Sequence, residues 1–138
     1  MAVRDVGNLR TRLSFEDKGA TSSLQRFKQY LAGLRSEMRT VTAMGKGYTN
    51  SLRGLRQQQD ILNRQMRTHQ ERVKELNRRY QEAVKAKGED SEEARKLARQ
   101  YNNAQAEMLR TEQQLKRVTQ AIEAQQNPWK RLGQNLEQ

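Results

Sequence analysis

Two stretches with heptad spacing mirror each other about residues 87–90, and this symmetry restricts the chain to few folds. Before the tetrapeptide, apolar residues recur at intervals of four and three from Tyr48 to Ala83. After it, the same spacing resumes at Ala94 and continues to Ile122. Such spacing places apolar side chains along one narrow stripe of an α-helix, at positions a and d of a heptad. The sequence therefore predicts two long helices joined by a short turn.

Folding the chain back between these arms brings the two stripes into register as an antiparallel pair. Leu62 then faces Leu115, while His69 faces Met108 and Thr111 falls in a different layer, so the polar interruptions are kept apart. We predict an all-α fold, an elongated antiparallel helical hairpin or coiled coil over residues 48–126. The predicted hairpin seam comprises Leu52, Leu55, Leu62, Met66, Val73, Leu76, Tyr80, Leu97, Tyr101, Met108, Leu115, Val118 and Ile122.

Three local features support the fold-back. Gly88 can adopt the left-handed conformation that ends many helices. Asp90 and Glu93 have the spacing of a capping box that opens the second arm. The hairpin register also places Arg72 beside Glu107, which predicts a solvated ion pair between the arms.

The formal net charge is +11, and most of it belongs to the first two thirds of the chain. Residues 48–86 carry nine basic and four acidic side chains, whereas residues 87–126 carry seven of each. The predicted outer basic face of the first arm consists of Arg53, Arg64, Arg67, Lys74, Arg78 and Lys85. Such a stripe attracts nucleic acid or an acidic protein wall. A solvated helix face without a partner is the simpler interpretation.

The sequence offers no catalytic constellation. His69 is the single histidine, and the side chains within helical reach of it cannot complete a metal site. The carboxylate pairs at 89–90 and 92–93 lie at a predicted helix start, where they offset the helix dipole. Residues 45–47 lack the spacing of a phosphate-binding loop. We expect no catalytic, cofactor-binding or metal-binding residues, no cofactor and no enzymatic activity.

The amino-acid composition excludes further classes of protein and of site. Cysteine is absent, so the chain has neither disulfides nor thiolate metal sites. No apolar run approaches the roughly 20 residues that a membrane helix needs. The first residues lack the apolar region of a secretory signal. We therefore expect no membrane association in this segment.

The rest of the chain divides into three parts around the hairpin. Residues 1–20 form an N-terminal arm in which the alternation over 9–15 is typical of a short strand. Residues 21–44 read as an amphipathic helix. Its apolar stripe comprises Leu24, Phe27, Leu31, Leu34, Met38 and Val41, and its candidate N-caps are Thr21, Ser22 and Ser23. Residues 127–138 begin a further helix whose stripe stops so early that we expect a longer parent protein.

The joint between the helix at 21–44 and the hairpin has two possible structures. The heptad phase passes through Gly45 without interruption, which is compatible with one very long helix. Gly45 and Gly47, preceded by the β-branched residues 40–42, also favour a bend. We favour the bend.

Five segments carry a resemblance to a known family. They are LRTRLSFEDKGATSSLQRFKQ at 9–29, VKELNRRY at 73–80, QYNN at 100–103, RTEQQL at 110–115 and NPWKRL at 127–132. In sequence and order they resemble the amino-terminal region of phage tail tape measure proteins, as found in Bacillus-type phages and prophages. The resemblance covers nearly the whole chain.

This resemblance implies a long helical protein that fills the lumen of the tail tube in several copies. Such a protein sets tail length during assembly and leaves ahead of the DNA. The implied partners are tail tube and tail tip proteins and tail assembly chaperones. Self-association is expected, and DNA contacts would be non-specific at most. The implied location is the virion, with the host cytoplasm during assembly, and no enzymatic role carries over.

The alternative from a different class is a basic cytoplasmic coiled-coil protein that binds nucleic acid non-specifically or acts as an adaptor. The outer basic face would then carry the function. Tight binding of duplex DNA with a steep salt dependence would favour this alternative.

Overall fold

The computed structural model describes residues 20–127, with side chains from residue 23 onward. It contains helices α1 (Ala20–Ala43), α2 (Lys46–Thr49), α3 (Leu52–Lys87) and α4 (Glu92–Gln126). No β-strand occurs within residues 20–127. The strand predicted at 9–15 and the helix start predicted beyond residue 127 lie outside the described residues.

Helices α3 and α4 pack against each other along their length and form the predicted antiparallel hairpin. They contain 36 and 35 residues, so each is about 54 Å long. The all-α hairpin predicted from the mirrored heptads is therefore confirmed.

Gly88 ends α3, but not in the left-handed helical conformation. Its φ of 93° is positive, as the sequence anticipates, whereas its ψ of 159° is extended. Its N–H donates to the carbonyl of Val84 at 2.9 Å. This positive-φ conformation suits glycine. Because the backbone at Gly88 is extended, the chain needs further residues to reverse its direction before α4.

The predicted capping box is wrong by one position, since the N-cap of α4 is Ser91. Its hydroxyl accepts a hydrogen bond from the backbone N–H of Ala94 at 3.1 Å. Glu93 instead pairs with Lys87 across the turn at 2.8 Å. The extended Gly88 lengthens the turn, so the cap falls on Ser91 rather than on Asp90.

The joint before the hairpin is bent, as the sequence favours. Helix α1 ends at Ala43, and Gly45 has a φ of 98° that interrupts the helical backbone. The single turn of α2 follows, and Ser51 then caps α3 by accepting from the N–H of Gly54 at 3.0 Å. This bend turns α3 back so that it runs antiparallel to α1.

Helix α1 docks on α3 through a small core in which Leu34 and Val41 pack against Ile61. At the other end of α1, the hydroxyl of Ser23 accepts a hydrogen bond from the guanidinium of Arg79. Ser23 therefore lies within α1 as a contact residue, and its predicted N-cap role is wrong. The α1-facing surface of α3 is a second stripe beside the seam. Its buried members are Ile61, Gln65, Thr68, Arg72 and Arg79.

Candidate functional site

The predicted seam lies where the two arms meet, and none of its residues is exposed. Leu55, Leu62, Leu76 and Ile122 are buried. The remaining members are half-buried, namely Leu52, Met66, Val73, Tyr80, Leu97, Tyr101, Met108, Leu115 and Val118. A seam with so many half-buried members buries only a narrow apolar strip.

The polar residues of the seam meet each other, contrary to the prediction that they occupy separate layers. Nε2 of His69 lies 3.1 Å from Oγ1 of Thr111, so His69 faces Thr111 rather than Met108. Both side chains are buried, and a buried polar group without a partner is costly. The local register therefore pairs the two hydrogen-bonding groups instead of packing each against an apolar neighbour.

The tautomer of His69 is assigned from the hydrogen-bond network. Thr111 donates its single hydroxyl proton to the carbonyl of Glu107 at 3.1 Å, so the hydroxyl can only accept from the imidazole. Nε2 of His69 accordingly carries the proton. Nδ1 is then an unprotonated acceptor, and it is buried without a hydrogen-bond partner. Burial lowers the pKa of His69; nearby Arg72 and Arg35 lower it further, and Glu107 opposes them.

The ion pair predicted between Arg72 and Glu107 is present. It is only partly solvated, however, because the side chain of Arg72 is 9% exposed and that of Glu107 is 33% exposed. Helix α1 covers Arg72 and adds a third member, Arg35, whose Nη2 lies 3.6 Å from the Glu107 carboxylate. Glu107 thus connects all three long helices.

The outer basic face is less uniform than predicted. Arg64 is half-buried rather than outward, and it pairs with Glu37 of α1 at 3.1 Å and with Asp60 at 3.0 Å. Arg78 is bound by Glu75 and Glu82, each at 2.7 Å. Hydrogen bonding to Glu75 raises the pKa of Arg78. The remaining members, Arg53, Arg67, Lys74 and Lys85, are exposed and form no ion pair with another described residue.

A groove separates α1 from α4. Both helices pack on α3, yet no described Cα of α1 lies within 8 Å of a Cα of α4. Two adjoining pockets of about 420 and 520 Å³ occupy this space. Cations from three helices line them, and we call the feature the basic groove. Its basic residues are Lys28, Arg35, Arg39, Arg72 and Arg110.

Sequence reasoning missed the basic groove because it exists only once α1 has docked. The available signal was the spacing of Lys28, Arg35 and Arg39, which lie seven and four residues apart and so share one face of α1. Without the position of α1, nothing in the sequence places that face opposite Arg110 of α4.

Neither a metal site nor a membrane span is found in the part of the chain that the structure describes. No group of three or more histidine or carboxylate side chains there is arranged to hold a metal ion. None of its helices combines the length and apolar character needed to cross a bilayer.

Comparisons of the chain with protein-family models, with curated proteins and with solved structures found no match. Function is therefore inferred from the residues of this chain and their arrangement.

Proposed function

We propose that the chain is the amino-terminal part of a phage tail tape measure protein, a structural component of the virion. In this role it fills the tail tube lumen, sets tail length during assembly and is released before DNA ejection. The resemblance of five segments in sequence and order carries the proposal. An elongated all-α fold is compatible with it.

Two physical features support the role. The hairpin is slender, about 54 Å long, and a long helical element is well suited to spanning a defined length. Its seam is narrow and contains the buried His69 with one unsatisfied nitrogen. A narrow seam of this kind costs less free energy to open than a wide apolar core, which suits a protein that must leave a tube.

The proposed partners are tail tube and tail tip proteins and, during assembly in the host cytoplasm, tail assembly chaperones. The positive charge suits contacts with an acidic tube wall or with the DNA that follows the protein. The chain acts in this scheme as a structural protein without a catalytic centre.

Deletion of residues 52–126 from the gene, followed by electron microscopy of the virions, tests the length-setting role. If these residues span the tube as a hairpin, tails should shorten by about 54 Å; if the arms are extended end to end, they should shorten by about 110 Å. Virions carrying the exposed-site change Gln113→Ala serve as the control and should keep their length. Unchanged tails after the deletion would contradict the proposal, as would absence of the protein from purified tails by mass spectrometry.

The second candidate, a basic coiled-coil protein that binds nucleic acid, is favoured by one observation. Arg53, Arg67, Lys74 and Lys85 are exposed on one arm without acidic partners among the described residues. Binding to a 20-base-pair duplex should then be tight at physiological salt and should fall steeply as salt rises. The double change Arg67→Glu with Lys74→Glu should abolish it. Weak binding of the duplex, unchanged in the double variant, would exclude the nucleic-acid-binding function.

A further inference from the structure

The two packing stripes of α3 are too far apart for a closed three-helix bundle. At about 100° per residue, the middle of the seam, between Leu62 and Met66, lies about 110° from the middle of the second stripe, between Gln65 and Thr68. In a closed three-helix bundle, viewed down the helices, the two neighbours of any helix lie 60° apart around its axis. In a square four-helix bundle they lie 90° apart. The helices α1, α3 and α4 therefore occupy three corners of an arrangement like a four-helix bundle, and the fourth corner is the basic groove.

The exposed surface of the basic groove is mainly polar and basic. Leu31 of α1 lines it but is fully buried, so the half-buried Met38 of α1 is its main apolar contact. The rims carry exposed cations, including Arg39 on α1 and Arg110 on α4. A long concave surface with cations on both rims and an apolar contact at Met38 matches one acidic amphipathic helix laid lengthwise.

The charge of the basic groove is not compensated. Five cations line it, and Glu107 is the single carboxylate among its described lining residues. Glu107 is already bound by Arg72 and Arg35. Lys28, Arg39 and Arg110 form no ion pair with another described residue. The Nε of Arg72 is buried without a partner. An occupant that lowers the energy of these cations must bring acidic groups.

We propose that the basic groove binds an acidic amphipathic helix of another protein, which completes a four-helix bundle. A second copy of this chain is a poorer occupant, since its net charge is +11 and its α4 region carries as many basic as acidic residues. Duplex DNA is wider than a single helix and has no apolar side chain to pack on the half-buried Met38. This inference does not depend on the proposed function.

The probe for this proposal is a synthetic 21-residue helical peptide with Leu at positions a and d and Glu at e and g. A matched peptide carries Lys at e and g. Fluorescence anisotropy titrations with the full 138-residue chain should show binding of the Glu peptide that weakens as salt rises, and no binding of the Lys peptide. Failure of the Glu peptide to bind, or equal binding of both peptides, would overturn the proposal.

Charge-reversal variants locate the binding. Arg39→Glu with Arg110→Glu, both exposed in the basic groove, should weaken binding of the Glu peptide by about tenfold or more. Arg67→Glu with Lys74→Glu changes net charge equally on the outer basic face and should leave binding within about twofold. Circular dichroism checks that both variants stay folded. Equal losses in the two variants would overturn the proposal, as would duplex DNA binding that depends on Arg39 and Arg110.

Discussion

Nε2 of His69 on α3 donates a hydrogen bond to Oγ1 of Thr111 on α4, across 3.1 Å of the buried seam. This contact joins the two arms near the middle of the hairpin. It also leaves the second imidazole nitrogen of His69 buried and unsatisfied. The stability of the hairpin should therefore respond to pH and to changes at either residue.

We expect the hairpin to lose stability as pH falls from about 7.5 to 5. Burial lowers the folded-state pKa of His69 below its unfolded value near 6.5, so the unfolded chain binds the proton more readily. The contribution of neutral His69 is complete above the unfolded pKa and declines below it, by at most about 1.4 kcal/mol per pH unit. Thermal unfolding followed by circular dichroism measures this change.

His69→Gln provides the control for the pH experiment, because glutamine cannot titrate. Its melting temperature should vary much less between pH 7.5 and 5. Glu75 and Glu93 have lowered pKa values and titrate below this window, so they do not contribute to it. A pH dependence that persists in His69→Gln would contradict the assignment.

Replacing Thr111 with Val should cost about 1 to 3 kcal/mol, since the buried Nε2–H of His69 loses its acceptor. Thr111→Ser keeps the hydroxyl and should cost less. In the double variant His69→Leu with Thr111→Val, both polar partners are gone, and the loss should be smaller than the sum of the single changes. Urea denaturation of the wild type, the single variants His69→Leu and Thr111→Val, and the double variant gives the coupling energy. Strict additivity would contradict the contact.

Replacing Glu107 with Gln should destabilise the chain by about 1 to 3 kcal/mol, because Arg72 remains buried with its charge uncompensated. Glu82→Gln removes an exposed partner of Arg78 and should change stability by less than about 1 kcal/mol. Chemical denaturation compares the two variants. Equal effects would mean that the buried position of Arg72 has no energetic consequence.

Gly54→Ala should destabilise the joint between α2 and α3. A Cβ at this position would lie 1.9 Å from the carbonyl oxygen of Tyr48, so α2 would have to move. The helix propensity of alanine, worth about 1 kcal/mol, should not offset this clash. Gly33→Ala is the matched control, since nothing lies within 4 Å of its Cβ, and it should stabilise α1. Differential scanning calorimetry of both variants decides the point.

The hairpin was predictable from sequence because heptad spacing is a strong signal over long helices. The register was close enough to pair Arg72 with Glu107. It failed at His69 and Thr111, where an ideal repeat separates two residues that hydrogen bonding brings together. A register predicted from apolar spacing alone takes account of hydrophobic contacts but not of the free-energy cost of burying unpaired polar groups.

The second stripe of α3 was not predictable in the same way. Gln65, Thr68, Arg72 and Arg79 look like solvated positions, and only the docking of α1 buries them. Ser23 was similarly predicted as a helix cap. Its hydrogen bond with Arg79 joins residues distant in sequence, so no local pattern indicates it. The basic groove depends on the same docking, so it could be recognised only from the structure.

The side chain of Gln125 donates to the carbonyl of Asn50, so the chain enters and leaves the hairpin at the same end. Once α1 has been detached from α3, tension applied through residues 50 and 126 would act on that end and separate α3 from α4 one layer at a time. No step would shear the whole seam at once. Each layer opened would release about 3.5 residues from each arm. With both arms still helical, the fully opened hairpin would extend from about 54 Å to about twice that length.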